Sequence, residues 1–166
     1  MRLIRFSSKN DECWAHAPAV KRAIEAAGVA FHQKAATTVA ERCLANFLME
    51  DHPLIPLDQQ NTTAVWYIWD DEARCLRGHL VALQGEWDGS AVCFIYQIWV
   101  TPRWSGRRDP VFRALPDTAA VEVDHYARSR GADRILMYTL RPSRFWRLRW
   151  GYHLHRFMYA HEVPRD

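Results

Sequence analysis

The dipeptide Asp88-Gly89, flanked by Trp87 and Ser90, does most to limit what this chain can become. It separates two long runs rich in aromatic and β-branched residues, Cys75–Trp87 (CLRGHLVALQGEW) and Ala91–Val100 (AVCFIYQIWV). Two-residue loops of this kind adopt type I′ turns, whose twist matches that of paired strands, so the two runs read as one hairpin. Ala64–Trp69 (AVWYIW) has the same character, with Asp70-Asp71-Glu72 as the break before the next run. Three consecutive strands therefore form the middle of the chain.

Helices flank this β-rich centre. Met1–Phe6 alternates apolar and basic residues as a short edge strand does, and Ser7–Asp11 is a polar break able to cap a helix. Val20, Ile24 and Ala27 then recur at helical spacing up to Gly28. Val39, Ala40, Cys43, Leu44, Phe47 and Leu48 make a second apolar stripe, ended by His52-Pro53. After Thr101-Pro102 comes an arginine-rich loop, and Asp109-Pro110 reads as a cap followed by proline at the first helical position. Ala119, Val123, Tyr126 and Ala127 continue that helix to Gly131, while Pro116 marks either a kink or a later start. Arg134–Leu140 reads as a buried strand, Arg141–Trp150 as a basic-aromatic helix, and Tyr152–Val163 as a last strand. The expectation is one α/β (α+β) domain over residues 1–166, in the order β-α-α-β-β-β-α-β-α-β.

Composition narrows the function classes. A hydrophobic fraction of 49% with 25% charged residues is that of a globular protein, and no run approaches the length of a membrane span. The N-terminus has no apolar run of signal-peptide length, and the four cysteines show no CxxC pair, so a soluble, cytoplasmic protein with buried thiols is expected. A net charge of +3 is too small to announce a nucleic-acid binder. Arg141, Arg144, Arg147 and Arg149, interleaved with Phe145, Trp146 and Trp150, would suit single-stranded nucleic acid, a protein interface or a phosphate-bearing ligand equally; nucleic acid is the least favoured. His153 and His155 alternate on the last strand with His161 at the same parity, but lack carboxylate or cysteine support, so no metal is expected.

The segment Ile95–Tyr152, with the order of elements, resembles the Gcn5-related N-acetyltransferase (GNAT) superfamily. In that family a strand ending in a Val-x-Pro-like step leads through a loop Gln/Arg-x-x-Gly-x-Gly/Ala into a helix. Here Val100-Thr101-Pro102 is followed by Arg103-Trp104-Ser105-Gly106-Arg107-Arg108, matching at Arg103 and Gly106, with Arg108 where a small residue belongs. Gly151-Tyr152 stands for the family's late Gly-Phe. The resemblance implies a mixed, mainly antiparallel sheet flanked by helices, in which the strands near Val100 and Ile135 splay to admit the pantetheine arm. It implies acetyl transfer from acetyl-CoA to an amine on a small molecule or a protein. Coenzyme A would be held by the backbone around Trp99 and Val100 and by Arg103, Trp104, Ser105, Gly106, Arg107 and Arg108. Free N–H groups at a helix start bind pyrophosphate, and glycine permits close approach. The same loop also reads as a solvated basic connection.

The family's usual catalytic positions are altered. Its strand carboxylate is replaced by Tyr96 and Gln97, and its late tyrosine, four residues before the glycine, by Arg147. Counting back from the Asp88-Gly89 turn pairs Val81 with Tyr96 and His79 with Ile98, so His79 and Tyr96 share a sheet face diagonally and are substitute acid–base candidates. They read equally as sheet filling. Glu86, at the hairpin tip, is expected in solvent, and Cys93 as a buried thiol rather than a nucleophile. The alternative to an acyltransferase is a catalytically inactive GNAT-fold subunit that binds a protein partner within a larger assembly, such as a phage particle.

Overall fold

Asp88 and Gly89 both have positive φ, 50° and 75°, the backbone signature of the type I′ turn. The computed structural model describes residues 1–29, 40–41, 62–100, 110–137, 153–155 and 158–162. The chain divides into two compact units, Met1–His79 and Leu80–Asp166.

The first unit contains β1 (Arg2–Arg5), α1 (Asp11–Val29), β2 (Thr63–Asp70) and the start of β3 (Cys75–Trp87), with strand order β1-β2-β3. β1 runs antiparallel to β2, from Arg2↔Trp69 to Arg5↔Trp66. Nearly every residue of β2 is buried, which is why its sequence is continuously apolar rather than alternating. α1 starts at an Asn10 cap: the side-chain Oδ1 accepts from the Glu12 N–H at 3.0 Å, and the backbone carbonyl accepts from Cys13 N–H at 2.9 Å. Cys13, Ala17, Val20 and Ile24 form its buried stripe, and Pro18 lies on the exposed side. Of the expected second helix only Ala40 and Glu41 are described, both helical; the rest lies outside the described residues.

Between β2 and β3, Asp70 organises the turn. Oδ1 accepts from the N–H groups of Glu72 (3.1 Å) and Ala73 (3.0 Å), while Oδ2 accepts from Arg77 Nε (2.9 Å) and Nη2 (2.7 Å). These bonds favour the ionised form, the Ala73 N–H foremost and Arg77 next, and hold the carboxyl below its ordinary pKa.

The second unit contains the remainder of β3, β4 (Ser90–Val100), α2 (Pro110–Ser129), β5 (Arg134–Met137), β6 (His153–His155) and β7 (Met158–Glu162), with strand order β3-β4-β5-β7-β6. β4 and β5 are parallel, so the chain must cross over between them, and α2 supplies that crossover. β5 pairs antiparallel with β7, and β7 with β6. Val92 and Leu136 are fully buried, with Trp87 and Phe94 packed on them edge to face, ring centres 6.3 Å apart. α2 turns Ala119, Val123, Tyr126 and Ala127 inward, the stripe read from the sequence. It starts at Pro110 and runs through Pro116, so Pro116 does not begin the helix.

The C-terminal end of α2 is closed by Gly131 at φ 66°. Its N–H bonds the Arg128 carbonyl at 3.0 Å, and the next N–H, of Ala132, reaches back to Ala127 at 3.0 Å, which together make a Schellman motif. One expectation fails. Tyr152–Val163 is not one strand but contains two, β6 and β7, in antiparallel register His153↔Ala160, Leu154↔Tyr159 and His155↔Met158. No Gly, Pro, Asn or Asp lies between them to mark the turn, so alternation alone ran the two together. In that register His161 follows Ala160, the partner of His153, so it does not share the parity of His153 and His155.

Two outcomes follow from these turns. Asp70 contributes stability above its unfolded pKa of about 3.9 and loses it as pH falls through the lower folded value. Asp70→Asn will therefore melt earlier than the native protein at pH 7, and the gap will close on acidification below pH ~4 in thermal melts. Gly131→Ala places a Cβ in the left-handed region and will cost roughly 1–2 kcal/mol in urea unfolding, with an unchanged m-value.

Candidate functional site

The candidate site begins at the C-terminal end of β4. Register with β5 is described from Val92↔Arg134 to Ile95↔Met137, and β4 continues to Val100. Ile135 is paired with Cys93, so the strands have not parted at Ile135 as expected. Along this stretch Ile95 is buried, Tyr96 is 37% exposed, and Gln97 to Val100 are half-buried. The next described residue after Val100 is Pro110, where α2 begins. The first-turn N–H groups of such a helix have no acceptor within it and sit at its positive end. Arg103, Trp104, Ser105, Gly106, Arg107 and Arg108, the expected phosphate loop, lie outside the described residues, as does the basic-aromatic segment 141–150.

The acid–base candidates differ in environment. His79, at the end of the first unit, is 2% exposed. Tyr96, in the second unit, is accessible, and partial burial raises its phenol pKa. Cys93 is buried; desolvation, with a smaller contribution from the Asp124 charge, pushes its thiol up to about 12. At neutral pH it is a protonated thiol and no nucleophile. Glu86 is exposed at the hairpin tip, as expected. Cys13, Cys75 and Cys93 are free, and Cys43 lies outside the described residues. Among the described residues no group of three His, Cys, Asp or Glu side chains is placed to hold a metal ion, and no helix is long and apolar enough to cross a membrane.

A polar cluster in the first unit escaped the sequence reading. Cys13 Sγ lies 3.6 Å from the Arg5 carbonyl, Tyr67 Oη 3.4 Å from Cys13 Sγ, and His16 Nδ1 3.0 Å from Tyr67 Oη. The His16 ring stacks on Trp69 at 3.5 Å between centres and 20° between planes, and meets Tyr67 edge-on. Burial raises the Tyr67 pKa and lowers that of His16. Nearby, Arg2 donates to both Asp71 and Glu12. The signal was present: a tyrosine inside a continuously apolar run requires a partner for its hydroxyl, and Cys13 and His16 stand three apart on α1.

No protein-family model matches the sequence, and no curated protein sequence matches it. Solved structures do match along the whole chain. Aminoglycoside 6'-acetyltransferase type Ii aligns over 100% of both chains with a TM-score of 0.62 at 14% identity. AAC(6')-Iy, in complex with the bisubstrate analog CoA-S-monomethyl-acetylneamine, aligns over 99% of this chain and 93% of its own at 0.60 and 12% identity. A GNAT family acetyltransferase from Brucella melitensis, in complex with acetyl-CoA, aligns over 99% of this chain and 90% of its own at 0.60 and 14% identity. The chain thus has the GNAT fold, as the resemblance around Val100–Gly106 implied, and these structural neighbours are acetyltransferases.

The Cys93 assignment is directly checkable. Iodoacetamide at pH 8 will leave Cys93 unmodified in the folded protein and label it in urea, as read by peptide mass spectrometry.

Proposed function

We propose that this chain is an acyl-CoA-dependent N-acyltransferase, moving an acetyl group from acetyl-CoA to the amine of a small molecule or protein in the cytoplasm. The observation that carries this reading is the end-to-end agreement in fold with acetyltransferases, two of them complexed with acetyl-CoA or a CoA-containing analog. The local arrangement fits. β4 ends at Val100, the sequence then supplies Arg103-x-x-Gly106, and a twenty-residue helix follows from Pro110. Trp99 and Val100 would line the cofactor's arm, the loop and helix N–H groups would hold the pyrophosphate, and Arg103, Arg107 and Arg108 would add positive charge. The cofactor supplies an activated thioester carbonyl. The chain supplies alignment and donors for charge developing on oxygen. Tyr96 is the accessible proton donor among the candidates, while His79 could serve as base only if substrate reached a ring that is 2% exposed. Free thiols at Cys13, Cys75 and Cys93 suit a reducing compartment.

A second reading is a binding subunit without catalysis. Its support is specific: the strand carboxylate and late tyrosine are replaced at Tyr96, Gln97 and Arg147, and His79 is enclosed.

Isothermal titration with acetyl-CoA and with CoA separates these readings. The enzyme reading expects micromolar binding that weakens by about tenfold or more in Gly106→Trp, an effect of ~1.4 kcal/mol, with unchanged circular dichroism. Binding without amine-dependent release of CoA supports the binding subunit. No binding by the folded native protein overturns the acyltransferase.

A further inference from the structure

The chain from Arg5 to His16 has only one proton arrangement that fills every contact. Three contacts are present: Cys13 Sγ to the Arg5 carbonyl, Tyr67 Oη to Cys13 Sγ, and His16 Nδ1 to Tyr67 Oη. A carbonyl cannot donate, so the first requires the Cys13 S–H. With that proton committed, the second requires the Tyr67 O–H. The phenol has no second proton, so the third requires His16 Nδ1–H. Neutral His16 therefore holds its proton on Nδ1 and carries a lone pair on Nε2, on the ring edge away from the Tyr67 hydroxyl.

We propose that His16 Nε2 is a hydrogen-bond-accepting site for an amine-bearing ligand, its tautomer fixed by the Tyr67–Cys13–Arg5 chain. The ring is half-buried rather than enclosed, and among the described residues Nε2 has no hydrogen-bond partner. Stacking on Trp69 and the edge contact with Tyr67 fix the ring plane, so the lone pair is oriented in advance. The charges around it favour a cation. Glu12 on α1 and Asp71 after β2 share the guanidinium of Arg2 on β1, and Asp71 also lies near the N-terminal ammonium; of the charges that act on His16 itself, Glu12 and Asp71 are negative and Arg2 is positive. The lowered His16 pKa keeps the ring neutral, and so an acceptor, at pH 7. An ammonium group satisfies both features, and a carboxylate or phosphate satisfies neither. The choice of an amine rests on the acyltransferase reading, of which amines are the acceptors; the tautomer does not.

The test is long-range 15N–1H correlation on the His16 ring at pH 7.5, titrating with ethanolamine and, at equal ionic strength, with sodium acetate. The native ring is expected as the Nδ1–H tautomer, with an Nε2 shift that saturates with ethanolamine and does not respond to acetate. Tyr67→Phe removes the oxygen that holds the Nδ1 proton. It will move the ring toward the Nε2–H tautomer, which offers a donor where an acceptor is needed, and will weaken the ethanolamine response by about tenfold. If Tyr67→Phe does not fold, Cys13→Ala perturbs the same chain from its far end and is read identically. A native ring in the Nε2–H tautomer, a response that never saturates, or an equal response to acetate overturns the proposal. All titrations are run without cofactor. An amine failure therefore leaves acetyl-CoA binding standing, and failed acetyl-CoA binding leaves the tautomer and amine result standing.

Discussion

The Asp88-Gly89 turn is the constraint on which the second unit rests. Two consecutive residues at positive φ leave a connection with no slack, so every pair between β3 and β4 near the turn is set by counting. A slip of one residue would move Val92 out of the buried cluster it shares with Leu136 and turn its whole strand to the opposite face. The same register brings Gly85 under the Phe94 ring, where an added Cβ would sit 3.0 Å from Cε2. Trp87 closes on Phe94 from the next position along. Once β4 is fixed, parallel pairing with β5 requires a crossover, and the helix from Pro110 to Ser129 makes it. The loop that leads into that helix is the proposed cofactor loop, so turn chemistry distant in sequence determines where it is anchored.

Much of this architecture was legible because its causes are local. Asp88-Gly89, Gly131 and the Ala119–Ala127 stripe each act within a few residues, and each stands where the sequence put it. The features that were missed depend on distant partners or lack a local marker. Nothing near Tyr67 announces that its hydroxyl bonds a cysteine 54 positions earlier. Nothing between His155 and Met158 has turn chemistry, so the β6–β7 hairpin looked like one strand. In the sequence Asp70 is one of three acidic residues in a polar break, whereas in the fold it accepts four hydrogen bonds and joins the turn to Arg77. The proposed cofactor loop, Val100-Thr101-Pro102 followed by Arg103-x-x-Gly106, is a sequence pattern whose residues from Thr101 to Gly106 lie outside those described; it can be read at all because backbone-based phosphate binding needs a glycine and a helix start rather than particular side chains.

That last point bears on why the fold agrees with acetyltransferases at 12–14% identity while the usual acid and base positions differ. Sheet pairing, a crossover helix and main-chain donors tolerate almost any sequence that keeps hydrophobic patterning and turn residues. A catalytic carboxylate or tyrosine has no such tolerance. Where such groups are replaced, proton handling must come from elsewhere or be absent, and the environments of the remaining candidates decide between these. Burial keeps the Cys93 thiol protonated and encloses His79, which removes both from easy exchange with solvent.

His16 differs from them in a way that follows from connectivity rather than exposure alone. A half-buried histidine with no partner would sample both tautomers and serve equally as donor or acceptor. Here the buried hydroxyl of Tyr67 takes up one ring nitrogen, and the thiol behind it removes the hydroxyl's freedom to donate back. Each link is a weak bond, but only one arrangement of the three protons satisfies all three contacts at once. The buried contacts of Cys13 and Tyr67 thus give the Nε2 edge of the half-buried His16 ring a defined chemical character.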